Sequence, residues 1–455
     1  MSFPRYEEYK DSGVEWLGEI PSHWGFVKIG HHCRLNGGGT PDREKLEYWN
    51  GEIPWITPKD MKADILVDSE ERITERGLQN SSASILKTNQ VLLVMRSGIL
   101  KHTLPVGIND VETAINQDIK ALDVQKAWAP LYFMRFVQGY NKELLLEWGK
   151  QGATVESLET NLLLHTRIPL PPIEEQKLIV AYLEAEVREI NSLIGQAQKL
   201  IDLLKEKRQA VISHAVTKGL DPTVPMKDSG IEWLGEVPEG WEVVKLKSFI
   251  LKMESGKSVN SIDSPALNGE IGVLKTSCVY SGQFNRGENK IVVPSELHLV
   301  SCPVIENTLI VSRMNTPDLV GFAGLALKSE ENLYLPDRLW QVHFKGVLPA
   351  FIHFWTMTQY YRNQVKVSCS GTSSSMQNLS QNDFRSFVLS VPSTEDQDKI
   401  VSHLNIELEK YNALIHQAQK SIALLQERRS ALISAAVTGK IDVRGLVPQQ
   451  EAVEA

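Results

Sequence analysis

Two long stretches of the chain carry apolar residues in alternating steps of three and four, the pattern of a helix packed along one seam. In each stretch ten of eleven seam positions are apolar, and the exception is an arginine, Arg208 or Arg429. A single seam would equally suit dimerisation, but two matched seams within one chain favour an intramolecular, antiparallel coiled coil. The predicted seam residues are Val180, Leu183, Val187, Ile190, Ile194, Ile201, Leu204, Val401, Leu404, Leu408, Tyr411, Ile415, Ile422 and Leu425.

Helix-terminating residues bracket both stretches. Pro172 precedes the first, and Gly219 and Gly439 follow the ends, as C-terminal caps would. Thr394 and Gln397 have the spacing of a capping box, so we predict that they open the second helix.

The remaining sequence alternates between short β-rich runs and turn residues, with one helical stretch in each half. This mixture predicts an α+β fold for two variable blocks, residues 25–168 and 242–390. The predicted strands are residues 53–56, 84–86, 91–95, 119–122, 271–276, 290–293, 308–312 and 339–344, and the predicted helical stretches are residues 130–138 and 349–361.

The chain contains an internal repeat, in which the second half follows the plan of the first. Residues 10–24 read KDSGVEWLGEIPSHW and residues 227–241 read KDSGIEWLGEVPEGW, which share eleven of fifteen positions. The long helices also align without a gap, whereas the blocks between them differ. We therefore expect a pseudo-twofold repeat. Its predicted parts are an arm (1–24), a block (25–168), a long helix (169–218), a linker with the second arm (219–241), a block (242–390), a long helix (391–438) and a tail (439–455).

Composition and charge argue against several classes of protein. The 455 residues carry a net charge of −8, and the acidity lies mainly outside the two blocks. Four scattered cysteines without a C-x-x-C pair argue against a disulfide framework or a structural zinc site. The sequence shows neither a signal peptide nor an apolar run long enough to span a membrane, so a cytoplasmic location is expected.

Catalytic motifs are missing from the sequence. Gly256, Lys257 and Ser258 resemble the end of a phosphate-binding loop, but Leu251 stands where such a loop requires glycine. The sequence has no G-x-S-x-G elbow, no dinucleotide fingerprint and no methyltransferase tetrad. We therefore expect a protein that binds rather than reacts.

Faint parallels connect the two blocks. VLLVMRS at 91–97 lies beside TLIVSRM at 308–314, an alignment that pairs Arg96 with Arg313. AINQD at 114–118 corresponds to YLPDR at 334–338. An arginine at a strand end suits a phosphate or a guanine, although a surface ion pair is the commoner use.

The chain resembles the specificity subunits of type I restriction–modification enzymes over nearly its whole length. The resemblance is carried by YKDSGVEWLGEIP at 9–21, GGGTP at 37–41, YWNGEIPWITPKDM at 48–61 and IPLPPIEEQ at 168–176. The second half keeps only VPSTEDQ at 391–397 and shows no obvious counterpart of residues 39–41 or 55–61.

This resemblance implies two target-recognition domains that each read half of a split, asymmetric double-stranded DNA target, with the paired helices fixing the spacer. It implies a non-catalytic chain that binds no cofactor itself. The implied partners are two methyltransferase subunits that use S-adenosylmethionine and restriction subunits that use ATP and magnesium.

Matching motifs nominate polar residues on predicted loops as DNA readers, although core or surface-pair roles are also open to each. The arm residues Trp16, Leu17, Trp233 and Leu234 are open to packing or to partner docking. The nominated readers are Thr40, Lys59, Arg96, Ser97, Asn116, Gln117, Lys275, Thr276, Arg313, Asn315 and Arg338.

Three alternatives stay open at this point. The chain could be a coiled-coil scaffold that presents two protein-binding modules, a nuclease or methylase with an unrecognised site, or a specificity subunit of a methylation-only system.

Overall fold

Each long helix passes from one compact unit of the protein into the other. Unit 1 comprises Met1–Gln198 and Lys420–Ala455, and unit 2 comprises Lys199–Gln419. The computed structural model describes residues 3–150, 155–267, 269–373 and 376–447. Each unit therefore contains one arm, one variable block and part of both long helices. The finer domain boundaries drawn from the sequence stay a prediction.

Unit 1 combines short strands with helices that include the start of the first long helix. Single turns of 3-10 helix lie at Ile29–His31, Leu46–Tyr48 and Gly98–Lys101. The strands are β1 (Tyr9–Asp11), β2 (Glu19–Pro21), β3 (Gly25–Lys28), β4 (Arg34–Gly37), β5 (Trp49–Ile56), β6 (Ile65–Leu66), β7 (Arg72–Ile73), β8 (Val91–Val94), β9 (Val106–Asn109), β10 (Ala114–Ile115), β11 (Ile119–Asp123) and β12 (Arg167–Leu170). The helices are α1 (Glu75–Gln79), α2 (Pro130–Gly139), α3 (Asn141–Trp148), α4 (Thr160–His165) and α5 (Ile173–Lys218).

Unit 2 repeats this plan with more strands. Its 3-10 turns lie at Leu246–Ser248, Thr276–Val279 and Pro294–Leu299. The strands are β13 (Met226–Asp228), β14 (Glu236–Pro238), β15 (Glu242–Lys245), β16 (Ile250–Glu254), β17 (Ser261–Ile262), β18 (Gly272–Leu274), β19 (Asn289–Val292), β20 (Pro303–Val304), β21 (Thr308–Ser312), β22 (Met314–Asn315), β23 (Ala323–Ala326), β24 (Glu330–Tyr334), β25 (Leu339–Phe344), β26 (Ser370–Ser373), β27 (Met376–Asn378) and β28 (Val388–Val391). The helices are α6 (Pro349–Thr356), α7 (Gln359–Ser368), α8 (Gln381–Ser386) and α9 (Thr394–Val437).

Matching sheets organise the two blocks. In unit 1 the strand order is β4-β11-β8-β9-β6, and β8 is buried along its whole length because it lies between β11 and β9. In unit 2 the order is β16-β25-β21-β23, and β21 is buried between β25 and β23 in the same way. A parallel pair accompanies each sheet, β5 with β10 in unit 1 and β18 with β24 in unit 2.

The long helices run antiparallel within each unit. In unit 1, Trp24 donates to Glu175 near the start of α5 and lies beside Gly439, just after α9. Further along, Arg429 donates to Asn191 at 2.7 Å. In unit 2, Arg208 donates to Asn412 at 3.1 Å, and the end of α5 lines the same cleft as the first turn of α9. The predicted antiparallel helix pair is confirmed, and all the predicted seam residues are buried or half-buried.

The helix ends confirm some predictions and correct one. Gly219 and Gly439 have φ of 80° and 72°, the left-handed conformation expected of C-terminal caps. The predicted capping box is wrong, because Ser393, not Thr394, accepts the Asp396 amide. The Gln397 side chain instead bonds to neighbouring backbone, which links the start of α9 to α6.

Two other elements differ from prediction. Residues 84–86 form no strand, since Leu86 makes only an isolated bridge to Thr113. The helical stretch 349–361 is two helices, α6 and α7. The break occurs because the Thr358 side chain accepts the Tyr361 amide and caps a new helix.

Candidate nucleic-acid interface

Four of the nominated readers of unit 1 lie together at the ends of β8 and β10. Thr40 Oγ1 donates to Gln117 Oε1 at 2.5 Å. Arg96 Nε donates to Asp118 Oδ1 at 2.7 Å, and the arginine side chain is 56% exposed. Asn116 is buried, and its amide nitrogen donates to the other Asp118 oxygen. Together Thr40, Arg96, Asn116, Gln117 and Asp118 form a polar cluster, termed cluster 1. Within it, Asp118 accepts hydrogen bonds from Arg96 and Asn116.

Glycine allows the loop that carries Thr40 to enter cluster 1. A Cβ on Gly38 would overlap the carbonyl oxygen of Ile115, and the Gly39 amide donates to that same oxygen at 3.0 Å. The Trp55 indole donates to the Gly39 carbonyl at 2.9 Å. This close approach of two backbones needs a residue without a side chain.

Ser97 and Lys59 occupy the margin of cluster 1. Ser97 follows Arg96, and its side chain caps the 3-10 turn that begins at Gly98. Lys59 is exposed in a turn in which Asp60 accepts both the amide and the hydroxyl of Thr57. This turn follows β5, the parallel neighbour of β10, so it emerges at the same sheet end as cluster 1.

Unit 2 repeats part of this arrangement with different residues, termed cluster 2, which comprises Ser258, Asp337 and Arg338. Ser258 Oγ donates to Asp337 Oδ1 at 2.5 Å, as Thr40 does to Gln117. A Cβ on Gly256 would overlap the carbonyl oxygen of Leu335. Residues 256–258 are therefore the structural counterpart of residues 38–40. This counterpart is not obvious in the sequence, because the two segments share backbone geometry rather than residues.

The first part of the run at 55–61 also has a structural counterpart, although none is obvious in the sequence. Trp55 pairs with Ala114 in unit 1, and Val273 pairs with Tyr334 in unit 2. Since residues 114 and 334 are equivalent, Lys275 and the following residue leave the sheet where residues 57–58 do. The sequences are too different for this match to be visible without the pairing.

The pairing register corrects the alignment of Arg96 with Arg313. Val94 pairs with Ile119 and Ser312 pairs with Leu339, so Arg313 is equivalent to Met95, one residue earlier. A shift of one residue turns a strand side chain to the opposite face. Accordingly the guanidinium carbon of Arg313 lies 5.9 Å from the centre of the Trp340 ring, and Arg313 Nε is buried with no hydrogen-bond partner among the described residues.

The other nominated readers of unit 2 are partly engaged within the protein. Lys275 pairs with Asp263 at 3.0 Å, and this hydrogen bond lowers the pKa of the Asp263 carboxyl. Thr276 and the buried Asn315 both bond to the Tyr280 hydroxyl. Arg338, in contrast, is exposed at the position equivalent to Asp118.

Beside each cluster lies a hairpin-like segment that the strand patterns of the sequence do not predict. In unit 1, Arg96 is bridged to Ser157 and the Leu158 amide donates to the Met95 carbonyl. In unit 2, β22 pairs with β27 and the Leu379 amide donates to the Arg313 carbonyl. Leu158 and Leu379 keep the 221-residue offset of the long helices, and extending that alignment backwards would have found these segments.

The arm residues divide between packing and exposure. Leu17 and Leu234 are buried in the cores of their units. Trp16 is half-buried, with its indole nitrogen donating to Glu147 at 3.1 Å. Trp233 is 39% exposed and lies against Tyr360. The leucines therefore serve packing and Trp16 packs against the core of unit 1, whereas Trp233 lies at the surface.

The described part of the chain has no group of three or more His, Cys, Asp or Glu residues placed to hold a metal ion. Within the same part, no helix is long and apolar enough to cross a membrane. The chemistry offered by both clusters is hydrogen bonding from hydroxyl, amide, carboxylate and guanidinium groups. Such groups suit recognition of base edges and phosphates.

Curated relatives are similar in both halves of the chain. The specificity subunit of the Escherichia coli type I restriction enzyme EcoR124I/EcoR124II is 33% identical over 202 residues, which cover 44% of this chain and 47% of that protein. The MjaVIII specificity subunit of Methanocaldococcus jannaschii is 24% identical over 462 residues, which cover 98% of this chain and 99% of that protein.

The fold is also similar to that of a chain from a solved structure concerned with assembly and conformational transition of a type I R-M system. The TM-score is 0.69 at 14% identity, and the match covers 93% of this chain and 99% of that one. The family model for the type I restriction modification DNA specificity domain matches residues 21–202 and 238–424. Because these matches span most of both halves, the chain belongs to the type I restriction modification DNA specificity family.

Proposed function

We propose that this chain is the non-catalytic DNA-recognition subunit of a type I restriction–modification complex. Each unit reads one half of a bipartite, asymmetric double-stranded target. One observation carries the proposal: the pairs Thr40–Gln117 and Ser258–Asp337 occupy the same backbone positions in the two units. A shared backbone with different polar side chains is what two readers of different half-sites require.

The chemistry of the clusters supports base recognition. Hydroxyl, amide and guanidinium groups provide the donors and acceptors that distinguish base pairs in the major groove. Lys59 and Arg338 are exposed and positively charged, so they are available to bases or phosphates, and the exposed Arg96 keeps the N–H groups that it does not donate to Asp118. Since the chain as a whole is acidic, partner subunits would supply part of the phosphate neutralisation.

The duplicated frame supports two identical partners. We propose that two methyltransferase subunits, which bind S-adenosylmethionine, dock on the repeated arms and helices. Restriction subunits would supply ATP- and magnesium-dependent cleavage. The long helices would fix the unread spacer between the half-sites, because each has its two ends in different units.

The first test compares the purified chain with the chain co-purified with a type I methyltransferase subunit from the same genome. We expect no methyl transfer from the chain alone and sequence-specific methylation from the complex. Methylation by the chain alone would contradict a non-catalytic role. A complex that binds DNA no better than the methyltransferase subunit alone would favour the scaffold alternative.

The second test exchanges residues 25–168 for the equivalent block of another family member. Methylome sequencing is expected to find a target changed in one half-site and unchanged in the other. A change in both halves would contradict the assignment of one half-site to each unit. ATP-dependent cleavage of unmethylated DNA, assayed with added restriction subunit, separates a full restriction system from a methylation-only one.

A further inference from the structure

The two clusters carry opposite charges at one equivalent position. In unit 1, Arg96 donates to Asp118, so a cation is paired with a carboxylate. The pairing of β21 with β25 places Met314 and Arg338 at these two positions of unit 2. An ion pair in one unit is therefore replaced by an apolar side chain and a guanidinium in the other.

This replacement leaves the guanidinium of Arg338 available. The Arg338 side chain is exposed and, among the residues that the structure describes, forms no ion pair or hydrogen bond. Its backbone is nonetheless fixed, because the Arg338 carbonyl accepts the Arg313 amide at 3.1 Å and Leu339 begins the buried part of β25. Arg338 thus has a fixed main chain and a guanidinium whose N–H donors, a planar fork, are open to a ligand.

The fork has a preferred nucleobase. Two parallel guanidinium N–H groups match the O6 and N7 acceptors of guanine, the commonest specific contact in the major groove. In unit 1 the Arg96 fork is partly occupied by Asp118, which also accepts from Asn116. We propose that Arg338 is a specificity-determining residue that contacts a guanine in the half-site read by unit 2. This inference rests on the proposed function.

The test uses the complex with its methyltransferase subunit and the target found by methylome sequencing. Binding is measured on duplexes in which each guanine of the unit 2 half-site is replaced in turn by 7-deazaguanine, which lacks the N7 acceptor. We expect one replacement to weaken binding of the unsubstituted protein by about tenfold. In Arg338→Gln, that replacement should weaken binding no further.

Two variants separate base reading from charge. Arg338→Lys keeps the charge without the fork, so it should lose the 7-deazaguanine effect while keeping the salt dependence of binding. Lys247→Gln removes another exposed cation of unit 2 and should leave the 7-deazaguanine effect unchanged. The substituted residues are exposed, and far-ultraviolet circular dichroism checks that each variant folds.

Two outcomes would overturn the role of Arg338. One is a unit 2 half-site without guanine on either strand. The other is an Arg338→Gln variant that weakens every duplex equally and keeps the 7-deazaguanine effect, as a phosphate contact would. A complex that recognises no bipartite sequence would contradict the proposed function itself, whereas a recognised target insensitive to Arg338→Gln contradicts this inference alone.

Discussion

Arg208 donates a hydrogen bond to Asn412 across the helix pair of unit 2, at a distance of 3.1 Å. Arg429 and Asn191 form the equivalent bond in unit 1 at 2.7 Å, and both residues are related to the first pair by an offset of 221. The arginine that interrupts each apolar seam therefore has a partner. A polar group in a seam is best paired in one alignment, which favours one helix register over others.

We predict that Asn412→Ala lowers the local stability of the helix pair in unit 2 by about 1 kcal/mol, since it removes this hydrogen bond. Asn405→Ala is the matched control, because Asn405 is an exposed residue of the same helix without a side-chain hydrogen bond in the described structure. Hydrogen exchange of the amides in residues 400–416 measures the difference. Equal exchange in the two variants would mean that the bond does not stabilise the pair.

The long helices were predictable because a heptad pattern extends over more than forty residues in each. The register of one strand against another was not. Arg96 and Arg313 align in sequence, yet the ladder shifts Arg313 to the place of Met95. Sequence similarity between the blocks is too weak to fix an alignment to one residue, and one residue decides which face a strand side chain occupies.

The candidate readers show the same limit. Thr40 and Gln117 are 77 positions apart, and although matching motifs nominate both as readers, nothing in the sequence predicts their contact. Ser258 lies in a segment that fails the phosphate-loop pattern, and it is nonetheless the partner of Asp337. Both pairs depend on a close approach of two backbone segments. The only sign of that approach in the sequence is a glycine, Gly38 or Gly256.

Gly38→Ala should disrupt cluster 1, because a Cβ there would overlap the Ile115 carbonyl and displace the Thr40 loop. Overpacking of this kind costs about 1–3 kcal/mol, so we expect weaker binding to the half-site of unit 1 by tenfold or more. Gly37→Ala is the control, since a Cβ at Gly37 has no atom within 4 Å. Binding to duplexes altered in one half-site at a time measures the effect. Similar binding by both variants would contradict a role for this loop.

His353 should make unit 2 sensitive to acid. His353 is 8% exposed, its Nε2 lies 2.7 Å from the Gly282 carbonyl oxygen, and burial lowers the pKa of the imidazole below its usual value. The unfolded chain therefore binds this proton more readily than the folded protein. Stability from the neutral imidazole is complete above the unfolded pKa of about 6.5 and is lost as the pH falls towards the folded pKa.

We expect His353→Gln, which keeps a donor for Gly282 but does not titrate, to reduce the loss of stability between pH 7.5 and pH 5.5. Denaturant unfolding at both pH values provides the measurement, and His416→Gln at an exposed position of α9 is the control. Parallel pH dependence in the unsubstituted protein and His353→Gln would show that another group carries the acid sensitivity.

The proposed spacing role of the helices makes a geometric prediction. Inserting one heptad into both α5 and α9, in register, adds seven residues and about 10 Å to each helix. At ~3.4 Å per base pair this equals about three base pairs. Methylome sequencing should therefore find both half-sites unchanged and the spacer longer by about three base pairs.

The insertion keeps the seam pattern because seven residues are one full repeat. Adding seven residues to one helix alone is the control, since it removes the match between Arg208 and Asn412 and should reduce binding to every spacer. An unchanged spacer after the double insertion would contradict the proposal that these helices set the distance between half-sites.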